Sequence, residues 1–289
     1  MRINKFVVFL VVSFNFLISQ AEYQILTTPQ SIFQLSTNGA SLAINNLGNY
    51  TNPAALNIAD SKYGFSLINY PDNIKMYNVG YKNFYLSVLD YGQLIDSIDD
   101  TINKTFTAQE ILLQYYYKYE TRNLRFGISS GLLNSKIYTI NSTGVIISIG
   151  MNAYYEKINS SIGLSIENLG YVFKSYTAYN LSFPIEYRFS FNHQRKSFII
   201  GYDLLYTKEI KEFKHILCLE FHINKRIKLR ASNSSYLSDL LIDSNDYNFI
   251  SGLGMGMEVR LESINFNIGF MNLGSGGAAY GISIDYLKN

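Results

Sequence analysis

The chain lacks the cysteines of a disulfide-stabilised protein and, after residue 21, the long apolar runs of a protein that crosses a membrane with helices. Among its 289 residues there are four prolines, no tryptophan and a single cysteine, Cys218. One cysteine excludes a disulfide within the chain, and its position far from the start excludes a lipidated cysteine behind a leader. After residue 21 no apolar run is long enough for a transmembrane helix, so any passage through a membrane must use strands.

Charge is scarce as well. Charged residues make up 16% of the chain, below the roughly 25% of an ordinary globular domain. The formal net charge is +2, which gives no basic surface for nucleic acid. We therefore expect no nucleic-acid partner.

Residues 1–21 have the three-part layout of a secretory signal peptide. Arg2 and Lys5 precede an apolar run over residues 6–18, and small residues follow at Ser19 and Ala21. An uncleaved anchor is the alternative, but the run is short for a spanning helix and polar sequence follows at once. We expect export to the periplasm, the medium or the outer membrane.

Tyrosine and phenylalanine, by contrast, are abundant. They raise the aromatic share to 15%, while the mean hydropathy is only +0.01. A membrane β-barrel gives such an average because each strand turns alternate residues to lipid and to a polar interior. A secreted β-sandwich gives it too, so composition leaves both folds open.

Apolar residues alternate with small or polar residues along most of the chain. Near the end, for example, Ile264, Phe266 and Ile268 alternate with Asn265 and Asn267, the pattern of a strand with one apolar face. We count about fourteen such runs. They begin near Tyr63, Ile74, Phe84, Glu110, Asn123, Val145, Ile158, Leu181, Ser197, His215, Ile227, Phe249, Ser263 and Gly277.

The links between these runs alternate in length. Short links lie at 82–83, 121–122, 156–157, 193–196 and 224–226, and longer ones at 92–109, 170–180, 207–214 and 237–248. Outer-membrane barrels have tight periplasmic turns and longer outer loops, whereas Greek-key sandwiches have no such rule. Three of the predicted outer links are nevertheless short, at 71–73, 139–144 and 273–276. The pattern predicts an all-β protein, a fourteen-stranded antiparallel transmembrane β-barrel of the outer membrane over residues 62–289.

Residues 22–61 are predicted to form a short plug-like segment before the barrel. Its centre is Asn52-Pro53-Ala54-Ala55-Leu56. Proline suits the first turn of a helix, asparagine caps it, and alanine and leucine favour it. So short a helix is not stable alone, and we expect it to pack against the barrel. The candidate plug motif is Asn52, Pro53, Ala54 and Leu56.

The last predicted strand carries a further barrel feature. Gly281, followed by Ile284 and Tyr286, resembles the C-terminal signal by which barrel-insertion machinery recognises its clients. The match is imperfect because residues 287–289 extend past the final aromatic residue.

Several motifs in order resemble the PorV/PorQ family of outer-membrane proteins, and the C-terminal half is more similar to the PorQ side. The motifs before the C-terminal part are Gly39-Ala40-Ser41-Leu42-Ala43, the Asn52 to Leu56 motif, Leu89-Asp90-Tyr91-Gly92, Thr105-Phe106-Thr107-Ala108, Asn168-Leu169-Gly170 and Leu181 to Tyr187. The C-terminal ones are residues 215–221, Asn224-Lys225-Arg226, the strand around Arg230 and Gly252-Leu253-Gly254-Met255-Gly256.

The resemblance implies a fourteen-stranded barrel related to the fatty-acid transporter FadL. It also implies a non-catalytic accessory role in a type IX secretion system, beside other outer-membrane components. One departure concerns the plug: the usual glycine pair is reduced to Asn38-Gly39-Ala40, and Asn45-Asn46-Leu47-Gly48-Asn49 replaces an acidic segment. Plug geometry therefore does not carry over directly.

Ionisable residues recur on the predicted lumen face. The candidate polar ladder comprises Lys118, Arg125, Glu186, Arg188, Glu220, His222, Arg230 and Glu258, with Gln114, Glu120, Glu167, Asp203 and Lys228 on the same face. Opposite charges on adjacent strands can pair, and in a narrow lumen they must pair to offset desolvation. We favour a rigidifying ladder over a selective path. Gly252, Gly254 and Gly256 leave a groove on this face for a plug residue, a ligand or the Asn52 to Leu56 turn.

No arrangement for catalysis is visible. Of His193, His215 and His222, only the last lies on the inward face, near Glu220, and a ladder role suits it better than that of a base. The sequence has no metal-ligand spacing, phosphate loop or nucleophile elbow. We expect no catalytic residue, cofactor or metal site.

Two functions remain open. In the first, the outer loops at 92–109 and 237–248 bind secretion-system proteins or secreted cargo, since Ile95, Ile98 and Ile102 lie among acidic residues and give a mixed surface suited to a partner. In the second, the barrel transports hydrophobic small molecules, which predicts an apolar pocket between plug and outer loops. An interior filled by paired charges would count against the second.

Overall fold

The computed structural model describes residues 23–44, 46–57, 61–96, 104–176, 182–209, 211–235 and 251–288. The predicted signal peptide and the loop at 237–248 lie outside these residues. The strands are β1 Ser61–Asn69, β2 Lys75–Tyr81, β3 Phe84–Asp96, β4 Lys104–Glu120, β5 Leu124–Ile137, β6 Ile140–Tyr155, β7 Ser160–Lys174, β8 Glu186–Gln194, β9 Phe198–Thr207, β10 Glu212–His222, β11 Ile227–Ser234, β12 Leu253–Arg260, β13 Ile264–Asn272 and β14 Ala278–Leu287.

These strands close into one barrel. Each pairs antiparallel with its neighbours in the chain, and β1 closes the circle against β14, where Phe65 lies opposite Ile284. The prediction of a fourteen-stranded antiparallel barrel is confirmed. Closure removes the free sheet edges that an open sheet of this size would expose.

The two faces of the wall have opposite polarity. In β14, Tyr280, Ile282 and Ile284 are exposed on the outside, whereas Gly281 and Ser283 between them are buried inside. The same alternation runs around the barrel, so the exterior carries a broad apolar band with aromatic residues near both ends. Such an exterior is favourable in contact with lipid and unfavourable in contact with water.

The two ends of the barrel differ. One end holds the tight connections after β2, β4, β6, β8, β10 and β12, and we call it the turn end; the opposite end is the loop end. In outer-membrane barrels the turn end faces the periplasm.

The predicted outer loop at 92–109 is wrong in extent, because β3 continues to Asp96 and β4 begins at Lys104. Gly92, at φ 70°, lies at a register shift between Asp90 and Gln93 rather than at a strand end. Likewise β6 begins at Ile140, within the predicted link at 139–144.

The N-terminal segment runs inside the barrel. It contains two short helices, α1 (Gln24–Thr27) and α2 (Ile32–Ser36), and Ile25, Leu35 and Leu42 are almost fully buried. No helix in the described residues is long and apolar enough to cross a membrane. An apolar core forms where α1 and α2 meet inward residues of the wall, among them Met76, Leu89, Leu112, Leu133 and Ile146.

Candidate functional site: the occupied lumen

The Asn52 motif is a turn and not the predicted short helix. The Asn52 side-chain oxygen accepts the Ala54 N–H at 2.9 Å, and the Asn52 carbonyl accepts the Ala55 N–H at 2.8 Å. Asparagine side chains favour such local turns. Asn52 therefore accepts a backbone N–H as predicted for a helix cap, but no helix follows it. The Asn52 amide also donates to the side chain of Asn152 on β6, at 3.0 Å.

Glycines in the wall make room for this turn. A Cβ atom added to Gly127 would lie 2.2 Å from the carbonyl carbon of Pro53, and one on Gly150 would lie 1.9 Å from Asn52 Oδ1. Both glycines face inward on β5 and β6, so they act as sites of close backbone approach. Sequence reasoning missed them, although each lies at an inward position of an alternating strand.

The groove predicted at Gly252, Gly254 and Gly256 has a different occupant from the Asn52 turn. Added Cβ atoms on Gly254 and Gly256 would meet Ser36 and Asn38, at 3.0 Å or closer. The Asn38 amide donates to the Ser232 hydroxyl at 2.7 Å and to the Gly252 carbonyl at 2.8 Å. The groove therefore holds the end of α2.

Leu56, the last residue of the motif, packs against tyrosines. Together with Tyr85 and Tyr116 it forms a small buried cluster, against which Tyr50 packs. The Tyr116 hydroxyl donates to the Tyr50 carbonyl at 3.2 Å, so the segment around the motif is fixed to β3 and β4 by both apolar and polar contacts.

A first ionic cluster surrounds Arg188. Its guanidinium contacts carboxylate oxygens of Glu167 at 2.9 Å, Asp203 at 3.2 Å and Glu186 at 3.9 Å. All four side chains lie on the neighbouring strands β7, β8 and β9 and are nearly fully buried. Burial of these charges is tolerable only because they are paired.

This cluster also fastens the N-terminal segment. Asp203 accepts the backbone N–H groups of Ser41 at 2.7 Å and Leu42 at 3.1 Å, and Arg188 donates to the Gly39 carbonyl at 3.0 Å. Leu42 has φ 56° and Ala43 φ 50°, so successive residues here adopt the left-handed conformation. A buried carboxylate thus accepts the N–H groups presented by this irregular stretch.

A second ionic cluster surrounds Arg230 on β11. It donates to Glu220 at 2.7 Å and contacts Glu258, while Lys228 contacts Glu258 at 3.2 Å. His222 hydrogen-bonds Glu220 at 2.7 Å. The guanidinium carbon of Arg230 also lies 5.0 Å from the ring centroid of Phe33 in α2, a cation–π contact.

The remaining predicted ladder residues are less enclosed. Glu120 contacts Arg125 at 2.6 Å and Lys118 at 3.4 Å, but its side chain is 44% exposed at the turn end. The side chains of Lys118 and Arg125 are 9% and 28% exposed, so burial in this group decreases toward Glu120. The predicted ladder is thus divided into two buried clusters and this partly exposed group.

A cavity of about 270 Å³ lies between the N-terminal segment and the wall, toward the loop end. Its apolar lining includes Leu26, Leu205, Ile216, Met271 and Leu273, and its polar lining includes Gln24, Gln30, Gln34, Gln114 and Lys214. Tyr70 also lines it and donates to the Pro29 carbonyl at 2.7 Å; burial raises the pKa of the Tyr70 phenol, which remains a donor. The cavity is therefore amphipathic rather than purely apolar.

Beside this cavity, the pairing of β7 with β8 among the described residues ends at Glu167 opposite Glu186. Leu181 lies outside the described residues, but a strand that starts near it is wrong for residues 182–185, because β8 begins only at Glu186. We call this end of the pairing the interruption. Pro184 just before β8 cannot donate to a ladder. Asn168, at φ 62°, donates instead from its amide to the Pro184 carbonyl at 3.1 Å.

Phe183 packs next to the end of this pairing, against Tyr23 and the strands β6 and β7. It is 2% exposed, and its ring centroid lies 5.0 Å from that of Tyr23. A Cβ atom added to Gly144 would lie 2.6 Å from its ring. The outer part of β7 thus faces a packed aromatic side chain where a strand ladder would otherwise continue.

No protein-family model and no curated protein matches the sequence. Among solved structures, the Pseudomonas putida toluene transporter TodX is similar, with a TM-score of 0.51 and 12% identity over 82% of this chain and 92% of that one. A Pseudomonas aeruginosa FadL homologue gives a TM-score of 0.50 and 10% identity over 90% and 99%, respectively. The fold is that of FadL-like outer-membrane barrels. The PorV/PorQ resemblance stays a prediction from sequence.

Proposed function

We propose that this FadL-like barrel transports small, largely apolar molecules with a polar group across the outer membrane. The observation that carries the proposal is the amphipathic cavity at the loop end. A ligand with an apolar body would contact Leu205, Ile216 and Met271, while Gln114 and Lys214 lie near enough to orient a polar group. Such a combination is typical of small-molecule sites.

The comparisons support the apolar part of this proposal. TodX is a toluene transporter, and a mutant of the same protein, termed a monoaromatic hydrocarbon channel, is similar with a TM-score of 0.50 and 13% identity. At such low sequence identities the similarity concerns the fold alone. The proposed class of substrate is therefore inferred from the residues that line the cavity.

A straight axial path from the cavity meets obstacles. Toward the turn end the lumen holds α2, the Asn52 turn and the two ionic clusters, and their buried charges are already paired. Passage would have to break ion pairs that are costly to leave unpaired. From the sequence, a lumen filled by paired charges is expected to argue against transport. In the structure these charges argue only against transport along the barrel axis.

A lateral route needs a smaller rearrangement. Asn168 both lines the cavity and borders the interruption between β7 and β8. Because pairing between β7 and β8 ends at Glu167 and Glu186, a path to the apolar exterior beyond that pair would require side chains such as Phe183 to move but would break no pairing between these two strands. We propose that substrate leaves the cavity there and enters the bilayer.

The accessory role in type IX secretion has less support. It rests on the PorV/PorQ resemblance. Of the two loops expected to bind its partners, most of 92–109 consists of strand, and 237–248 lies outside the described residues. Its partners, secretion-system proteins or cargo, therefore remain a prediction from sequence.

Filling the cavity tests the transport proposal. In Leu273→Trp a larger side chain replaces a residue of the lining. We expect uptake of radiolabelled toluene and decanoate, by cells carrying the barrel, to fall about fivefold or more, because the indole would occupy space that the substrate needs and a loss of about 1 kcal/mol in binding corresponds to that factor.

Leu261→Trp is the matched control, because this leucine is exposed at the turn end. Its uptake should stay within about twofold of the parent, the spread expected for surface substitutions. Barrel content in the membrane is checked by heat-modifiable electrophoresis. Equal uptake by both variants at equal barrel content would refute the cavity as the substrate site.

A cross-link distinguishes the two routes. A Cβ atom added to Gly201 would lie 3.3 Å from Leu42 Cβ, close to the Cβ separation of a disulfide. Leu42→Cys with Gly201→Cys, in a Cys218→Ser background that removes the native thiol, should therefore tie the N-terminal segment to β9. We expect uptake to be the same under oxidising and reducing conditions, because the lateral route does not need this segment to move.

The reduced form of the same variant is the control, since it contains identical substitutions. Cross-linking is verified by the mass of the peptide that joins the two cysteines. Uptake that disappears on oxidation and returns on reduction would favour the axial route instead.

A further inference from the structure

A polar row crosses the outside of the barrel near the loop end. Strand register places Lys75 opposite Asp90, Asp90 opposite Gln109, Gln109 opposite Lys136, and Lys136 opposite Asn141, from β2 to β6. The flanking residues Met76, Leu89, Ser135 and Ser142 are buried inside. The side chains of the row therefore point outward.

Lys174 on β7 extends the row. Its ammonium donates to the side-chain oxygen of Asn141, which lies on the outward face of β6. Beside them the Asn134 amide donates to the Thr143 hydroxyl at 2.9 Å. Lys136 pairs with Asn141 and Lys174 with Thr143, on either side of β6. Two strand spacings and a two-residue offset place their backbones about 12 Å apart, so both long side chains can reach one anion between them.

The charge of this part of the row is positive. Lys136 and Lys174 are exposed, and among the described residues of the row the nearest carboxylate is Asp90, which lies two strands away and opposite Lys75. An anion at Asn141 would therefore meet two cations and amide N–H donors.

The position of Lys136 and Lys174 relative to the lipid-facing band indicates the source of that anion. On the same outward face, Leu132 lies four residues before Lys136 and Tyr171 lies three residues before Lys174, both toward the turn end. They are 56% and 62% exposed, as expected for lipid-facing residues. The two ammonium groups lie just beyond them, where lysine side chains extend from hydrocarbon toward lipid headgroups.

We propose that Lys136, Lys174 and Asn141 bind the phosphate of a lipid headgroup in the outer leaflet. The two ammonium groups neutralise the phosphate and the amide donates to one of its oxygens, while the acyl chains lie along the apolar wall below. The site is outside the barrel and independent of the transport cavity.

The test uses the full mature barrel in detergent and native mass spectrometry, with phosphatidic acid as the probe. We expect phosphatidic acid to bind, phosphatidylcholine to bind more weakly, and inorganic phosphate in excess not to displace the lipid. Lys136→Gln with Lys174→Gln should weaken phosphatidic acid binding about tenfold or more, because each lysine near a lipid surface contributes substantially.

Lys157→Gln with Lys225→Gln is the matched control, since both of these lysines are exposed at the turn end. This variant should retain parental binding. Equal losses in the two double variants, or equal binding of both lipids by the parent, would overturn the site. Complete displacement by inorganic phosphate would likewise overturn the lipid assignment and point to a free anion.

Discussion

Arg188→Met is expected to lower the free energy of unfolding by about 3–5 kcal/mol, the range for removing one partner of a buried ion pair. Methionine keeps most of the side-chain volume but leaves Glu167, Glu186 and Asp203 without the guanidinium between them. Like charges then face one another in a buried site. Urea unfolding in detergent, followed by heat-modifiable electrophoresis, measures the change.

Two further variants distinguish the loss of the buried charge in Arg188→Met from a loss of side-chain packing. Arg122→Met removes an exposed contact to Glu156, with side chains 83% and 48% exposed, and should cost less than about 1 kcal/mol. Adding Glu167→Gln to Arg188→Met should recover part of the lost stability, because one of the buried charges is removed. Equal costs at Arg122 and Arg188 would contradict the role of the buried cluster.

Gly127→Ala is expected to displace the Asn52 turn, because the new Cβ atom would lie 2.2 Å from a backbone atom of Pro53. A backbone atom cannot rotate away as a side chain can, so wall or turn must shift, at a cost of about 1–3 kcal/mol. Limited proteolysis should then cleave near residues 52–56, which are buried in the parent, while the barrel itself persists.

Gly276→Ala provides the control for this substitution. There an added Cβ atom meets nothing closer than Leu273 Cβ at 3.7 Å, an ordinary contact, and proteolysis should match that of the parent. If Gly127→Ala left residues 52–56 protected and unfolding unchanged, the close fit between turn and wall would be refuted.

Much of the architecture could be predicted from the sequence because it depends on local alternation. A strand shows successive side chains to opposite faces, so the lipid-facing Ile282 and Ile284 and the inward Glu220 and Arg230 could be assigned without any knowledge of pairing. The alternation of short and long links then predicted that each strand pairs with its neighbours in the chain and that the sheet closes into a barrel.

Local signals failed where a strand was irregular. Gly92 indicated the end of β3, yet it lies at a bulge through which the strand continues to Asp96. The apolar residues after Leu181 indicated a strand, yet Phe183 and Ile185 are buried where Pro184 interrupts the ladder. Bulges and interrupted edges depend on the neighbouring strands, which the local pattern does not record.

The sequence alone predicted the fourteen-stranded barrel, its polar lumen and a preceding segment able to enter it, whereas the signal peptide stays a prediction. Only the tertiary structure decided which wall residues meet that segment: Asn52 contacts Asn152, 100 residues away, and Ser41 contacts Asp203, 162 residues away. The physical reason is that alternation fixes the face on which each side chain lies, whereas closure and strand register fix which faces meet across the lumen.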